Sequence, residues 1–234
     1  MTLNAIQSKL AALADDQRAG IQMRFFKTGP GEYGEGDRFI GVRVPELRRL
    51  SRLYRELDLR AVESLLHSNI HEERHLALFI MVLQFQKGDS RRRRRIYDLY
   101  LASLKFINNW DLVDCSAEHI VGGWLETRKK NRLDALARSA DLWHRRVAML
   151  ATFHYIKKGH FDDALRLAEQ LLADSHDLIH KAVGWMLREI GKRDLVIEEA
   201  FLKKHYQAMP RTMLRYAIEK IPEAKRQAYL KGTI

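Results

Sequence analysis

The sequence predicts an all-α chain of repeated helix pairs, on three observations: its dominant residues, the helical spacing of its apolar positions, and a pattern recurring about every 35 residues. Leu, Ala, Arg, Lys and Glu dominate, while only 4 prolines and 13 glycines are spread over 234 residues, a composition of long helices rather than of a sandwich or barrel. With 46% hydrophobic residues the chain can bury a sizeable core.

The first twenty residues, MTLNAIQSKLAALADDQRAG, read as an amphipathic helix; they lack the charged start and unbroken apolar run of a signal peptide. Next comes Thr28-Gly-Pro-Gly-Glu-Tyr-Gly-Glu-Gly-Asp37, whose glycines and proline predict a loop. From Pro45 the apolar spacing is helical, punctuated at Lys87-Gly88-Asp89, Lys158-Gly159-His160 and Gly191-Lys192. One domain over residues 1–234 is therefore expected, with the N-terminal helix and Gly-rich loop in 1–43 and a repeat array in 44–234.

The repeat emerges when RHLALFIMVLQF (from Arg74), WDLVDCSAEHIV (from Trp110), RRVAMLATFHYI (from Arg145) and KAVGWMLREIGK (from Lys181) are placed under one another. Their fourth residues, Ala77, Val113, Ala148 and Gly184, lie 36, 35 and 36 apart, and LRYAIEKI puts Ala217 another 33 on. A fixed period carrying two helices marks a solenoid, closest to HEAT-like or armadillo-like pairs, with a concave face paved by the second helices and basic here. A small residue recurs where helices must approach closely.

Lys plus Arg number 41 against 30 Asp plus Glu, a formal net charge of +11, which favours a polyanion as partner. Cys115 is the single cysteine, excluding an intramolecular disulfide and a thiolate metal cage and fitting a reducing cytosol. The longest apolar stretch, Leu78 to Leu83, is too short for a bilayer, so a soluble cytoplasmic protein is expected.

On the paved face Trp110 lies three before its aligned small residue and Asp114 one after, a spacing of i, i+4. Arg145 and Arg146 lie three and two before Ala148 in the next repeat, and Trp185, one after Gly184, takes the place of Asp114 one repeat further on. Each alone reads as core or solvated helix. Together, two indoles, a carboxylate and an arginine at equivalent positions point to a site. Arg74, Arg145, Lys181, Arg188, Lys157 and Lys158 surround it, a pattern of cations among aromatics suited to phosphates and sugars. The run Arg91 to Arg95 reads as a solvated face or an outer phosphate contact. His71-Glu-Glu-Arg-His75 matches the H-E-x-x-H zinc pattern, but no third histidine follows in register, and no metal or cofactor is expected.

With these residues in view the chain resembles the AlkD-type DNA alkylation repair glycosylases, built from HEAT-like repeats. The resemblance runs through FFKTGPGEYGEGDRFIGVRVPELRRL from Phe25, NNWDLVDCSAEHIVGGWL from Asn108, LWHRRVAML from Leu142 and IHKAVGWMLREIGKRD from Ile179. It implies release of positively charged N3- or N7-alkylated purines from duplex DNA without base insertion, with Asp114 as catalytic carboxylate, Trp110 and Trp185 at the deoxyribose and Arg146 on DNA. Where the family often has a tyrosine, this chain has Phe25-Phe26-Lys27, so that hydroxyl is lost or supplied elsewhere, with Tyr33 as the candidate. The rival reading is a non-catalytic repeat scaffold gripping nucleic acid or an acidic protein; Asp114 and the two tryptophans favour the enzyme. Alkylated double-stranded DNA is the expected partner, with no membrane and no obligate protein partner.

Overall fold

The computed structural model describes residues 2–234. They are helical with connecting turns, and the one β-type pairing among them is an isolated parallel bridge between Arg38 and Ile70. The chain divides into two compact units, Met1–Ile120 and Val121–Ile234. Among the described residues no helix is long and apolar enough to cross a membrane.

The first unit holds α1 (Leu3–Ala11), α2 (Asp16–Phe25), α3 (Val44–Leu53), α4 (Leu59–Leu66), α5 (His71–Lys87), α6 (Ser90–Ala102) and the five-residue α7 (Trp110–Asp114). The single N-terminal helix expected from the sequence is two. The Asp15 carboxylate accepts the Arg18 N–H at 2.9 Å, and this cap starts a new helix where the apolar pattern alone would continue the old one. The unit is centred on α5, which has 14 of its 17 residues buried, as befits a helix without a solvent face. It packs against α3, α4, α6 and α7. Its buried Gln84 amide donates to the carbonyls of Arg55 and Leu57, each at 2.8 Å, tying off the loop after α3.

The second unit holds α8 (Gly123–Leu125), α9 (Asn131–Ala137), α10 (Leu142–Ala151), α11 (Phe153–Ile156), α12 (Asp162–Gln170), α13 (Asp177–Gly191), α14 (Leu195–His205), α15 (Arg211–Ala217) and α16 (Glu223–Lys231). Asp141 caps α10 and Asp194 caps α14 through their carboxylates. Here α13 is central, lying against α10, α12, α14 and α15. The small positions aligned in the sequence fall on α5, α7, α10, α13 and α15; Ala77, Val113 and Ala148 are fully buried and Ala217 nearly so. Gly184 shows why smallness matters, because a Cβ there would overlap the Met213 carbonyl oxygen and the Tyr216 Cβ on α15.

Candidate active site

In the first unit the site is built on α7, which Asn109 opens: its side-chain oxygen accepts the Trp110 N–H at 2.8 Å. The Trp110 indole stacks on Phe26, with centroids 5.2 Å apart and planes at 20°, and meets the edge of Phe25 at 6.0 Å. Phe25 is 63% exposed, so the indole stands beside an open aromatic ring on the partly buried rim of a small core formed by Ala19, Phe26 and Phe39. The position where the resemblance leads one to expect a tyrosine is met here by apolar stacking, while Tyr33 stands half-buried in the loop that follows.

Three residues after Asp111, Asp114 lines a cleft of about 310 Å³ together with Arg48 and Arg52 of α3, Phe79 of α5, and Cys115 and His119. The Arg48 guanidinium lies 4.4 Å above the Phe79 ring, a cation–π contact that holds it along the cleft wall. A carboxylate and two arginines thus share one polar concavity. Neither arginine was picked out from the sequence, although Arg48 and Arg52 are spaced i, i+4 on a strongly amphipathic helix and necessarily share a face. Burial pushes the Cys115 thiol well up, and the carboxylates of Asp111 and Asp114 push it further, which favours the protonated thiol over the thiolate.

Behind α7 lies a buried ionic network. His71 Nδ1 is 2.8 Å from Asp37 Oδ2, and His71 Nε2 is 2.8 Å from Asp111 Oδ2. Arg74 pairs with the other Asp37 oxygen and also donates to Ser68 O at 3.0 Å and Asn108 Oδ1 at 3.2 Å. Burial pulls the His71 pKa down, but the charge and hydrogen bond of Asp111, then those of Asp37, outweigh it and push the imidazole up to about 9. Burial likewise opposes ionisation of Asp111 and Asp37, and His71, with Arg74 at Asp37, holds both carboxyls below their usual range.

Asp111 supplies what the H-E-x-x-H pattern lacked in sequence, since one ligand atom each of His71, His75 and Asp111 lies within 4.8 Å of the others. In this fold His71 meets a carboxylate at each ring nitrogen, whereas a metal would need the lone pair of one of those nitrogens. Glu72, the pattern's glutamate, is turned away, accepting the N–H groups of Ile40, Gly41 and Val42 at 2.8 to 3.2 Å.

In the second unit Trp185 is half-buried on α13, its ring centroid 5.7 Å from that of Phe153 and its Nε1–H donating to Glu189 at 3.3 Å. Lys157 lies 4.2 Å above the Phe153 ring, and Glu189 also takes Lys192 at 2.6 Å and Arg193 at 3.1 Å. Phe153, Lys192 and Arg193 were not anticipated. Their partners lie a turn away or on another helix, outside the repeat register that located Trp185.

The expected phosphate-contacting residues divide sharply. Lys157 and Lys158 are exposed, Lys158 pairing with Glu126, and Lys181 is half-exposed 2.7 Å from Asp177. Arg188 pairs with Glu219. Arg145 sits 2.6 Å from Asp174 and donates to the carbonyls of Ser139 and Ala140. Two expectations need correction. Arg74, at 3% exposure, is an internal partner of Asp37, and Arg146, at 5%, donates to the Leu178 carbonyl at 2.6 Å. Both guanidiniums are turned inward because buried carbonyl and carboxylate oxygens need donors.

The comparisons with known proteins agree with this architecture. A family model described as DNA alkylation repair enzyme matches residues 6–221. Among solved structures, a predicted DNA alkylation repair enzyme from Enterococcus faecalis superposes with a TM-score of 0.69 at 17% identity, over 90% of this chain and 97% of that one. AlkD2 from Streptococcus mutans gives 0.56 at 15% identity, over 88% and 98%. The smu.31 protein from Streptococcus mutans UA159 gives 0.56 at 16%, over 76% and 93%. At such identities the likeness speaks for the fold. No curated protein matches the chain.

Proposed function

Because the chain belongs to the DNA alkylation repair enzyme family, we propose that it hydrolyses the N-glycosidic bond of positively charged N3- or N7-alkylated purines in duplex DNA. The observation that carries this reading is the Asp114 carboxylate opening on a cleft walled by Arg48 and Arg52, on the same five-residue helix as Trp110.

The chemistry asks for little more. Alkylation at N3 or N7 leaves a formal positive charge on the purine, so the base departs as a neutral molecule with the electrons of the C1′–N bond and needs no general acid. The sugar is left with oxocarbenium character, which a carboxylate stabilises through space. Water then adds at C1′ and gives up its proton to bulk solvent. In this scheme Asp114 is the catalytic carboxylate and Trp110, on the same helix, holds the deoxyribose, its indole adding about 0.5–2 kcal/mol of cation–π attraction as the charge develops; Trp185 is the corresponding sugar-contact candidate of the second unit. Arg48 and Arg52 in the first unit, and Lys157, Lys158, Lys181, Arg145 and Arg188 in the second, are the cations assigned to phosphates. A departing base that needs no general acid needs no pocket to supply one, in contrast to the base-flipping enzymes.

The test is chromatography of purines released from methylated duplex DNA. Wild-type protein should free 7-methylguanine or 3-methyladenine, and Asp114→Asn should lower the single-turnover rate by about 100-fold or more while still binding the duplex. Binding without release by the wild type would leave a non-catalytic scaffold.

A further inference from the structure

The run Asn108 to Asp111 is held from both sides. Helix α7 is only five residues long, too short to fix its own orientation, because helix nucleation is unfavourable without outside contacts. Those contacts come from α5. Arg74 reaches Asn108, two residues before Trp110, and His71 reaches Asp111, the residue after it. Both α5 side chains also meet the same carboxylate, that of Asp37 at the end of the Gly-rich loop. An aromatic path closes the circuit, running from Trp110 to Phe26 (5.2 Å), to Phe39 (4.9 Å) and back to the His71 ring (4.2 Å).

We propose that His71, clamped between Asp37 and Asp111, is a positioning residue that fixes the Trp110 indole and the start of α7 and couples both to the Gly-rich loop. The proposal rests on reading Trp110 and Asp114 as the pair that acts on the sugar. The geometry calls for an imidazole in particular. Its two N–H groups point in opposing directions and join two carboxylates, while its flat face completes the stack on Phe39. Glu72, next to His71, is occupied by backbone N–H groups, and His75 lies 3.3 Å from Asp111 on the same side as His71, so no other α5 side chain bridges Asp37 to Asp111.

The deciding variant is His71→Phe, which keeps the stacking ring and removes both donors. Asp111→Asn, nearly the same shape, serves as the second variant if His71→Phe does not fold. Two quantities are read on the full chain: the single-turnover rate of 7-methylguanine release with duplex affinity, and the indole N–H resonance of Trp110, assigned with Trp110→Phe. The expected result is a rate lowered by about 10- to 100-fold, the loss that an ångström-scale misplacement causes, at an affinity within about two-fold of wild type. The Trp110 resonance should move while that of Trp185 stays. An unmoved Trp110 resonance overturns the clamp, and a moved resonance with an unchanged rate overturns its positioning role. If the wild type releases no base, the glycosylase reading falls on its own and the resonance alone decides the clamp.

Discussion

Asp111 and Asp114 share the five-residue helix α7 and serve opposite purposes: Asp111 faces inward, 2.8 Å from His71 Nε2, whereas Asp114 lines the cleft beside Arg48 and Arg52. The pairing of Asp111 with His71 ties the stability of the fold to pH.

Stability should fall as pH rises from about 6.5 through about 9, with a slope traceable to His71. Its folded pKa is raised to about 9 from 6.5, so its contribution is complete below 6.5 and is lost as the folded protein gives up the proton. The full effect is roughly 3 kcal/mol. Urea unfolding at pH 6.5 and 9.5 checks it, and the slope should be absent in His71→Gln.

Glu198 should produce a slope of its own in the second unit. Burial first, then the charge of Glu199, raises its carboxyl from 4.5 to about 8 against the pull of Arg188. The carboxyl lies where a Cβ on Gly191 would stand. A raised acid stabilises the fold most below pH 4.5 and progressively less up to about 8. Glu198→Gln should therefore stabilise the protein at pH 8, by on the order of 4 kcal/mol, and change little at pH 4.5. Equal thermal shifts at both pH values would contradict this.

Lys157 and Lys158 are exposed cations at the end of α11. If they meet phosphates, changing both to Gln should reduce the slope of log K against log salt by about 0.9 for each contact removed. Arg74→Gln should instead lower the melting temperature, since it removes the internal partner of Asp37. Duplex titrations at three salt concentrations separate the two behaviours.

Gly184→Ala should cost about 1–3 kcal/mol, because the new methyl meets backbone as well as a side chain on α15. Thermal denaturation should register a drop of about 2–4 °C per kcal/mol for a chain of this size. Ala148→Gly, on α10 at the equivalent repeat position, has no such clash to report and should show only the helix-propensity and packing loss.

The helices and the close approach at Gly184 were legible because both leave local traces: apolar spacing within a helix, and a repeat register that places a glycine against α15. The cap at Asp15 that splits the N-terminal helix was not, since a cap interrupts a periodicity without erasing it. Of the candidate site, Asp114 and the two tryptophans could be picked out by repeat position. The His71 network could not, because its partners lie 34 and 40 residues away along the chain and no spacing rule links them. Arg74 and Arg146 misled for a related reason. An arginine is read as a surface cation until the distant oxygen that buries it is known, here Asp37 for one and the Leu178 carbonyl for the other.

The inner network also bears on how a polyanion is drawn in from a distance. Asp37 and Asp111 are negative, Arg74 and His71 positive, and the four lie close enough to cancel as seen from outside. The cluster behind α7 is thus electrically silent at long range. The attraction implied by a net charge of +11 must then arise from cations elsewhere in the chain, and added salt should weaken the approach of DNA while leaving the shielded hold on Trp110 untouched.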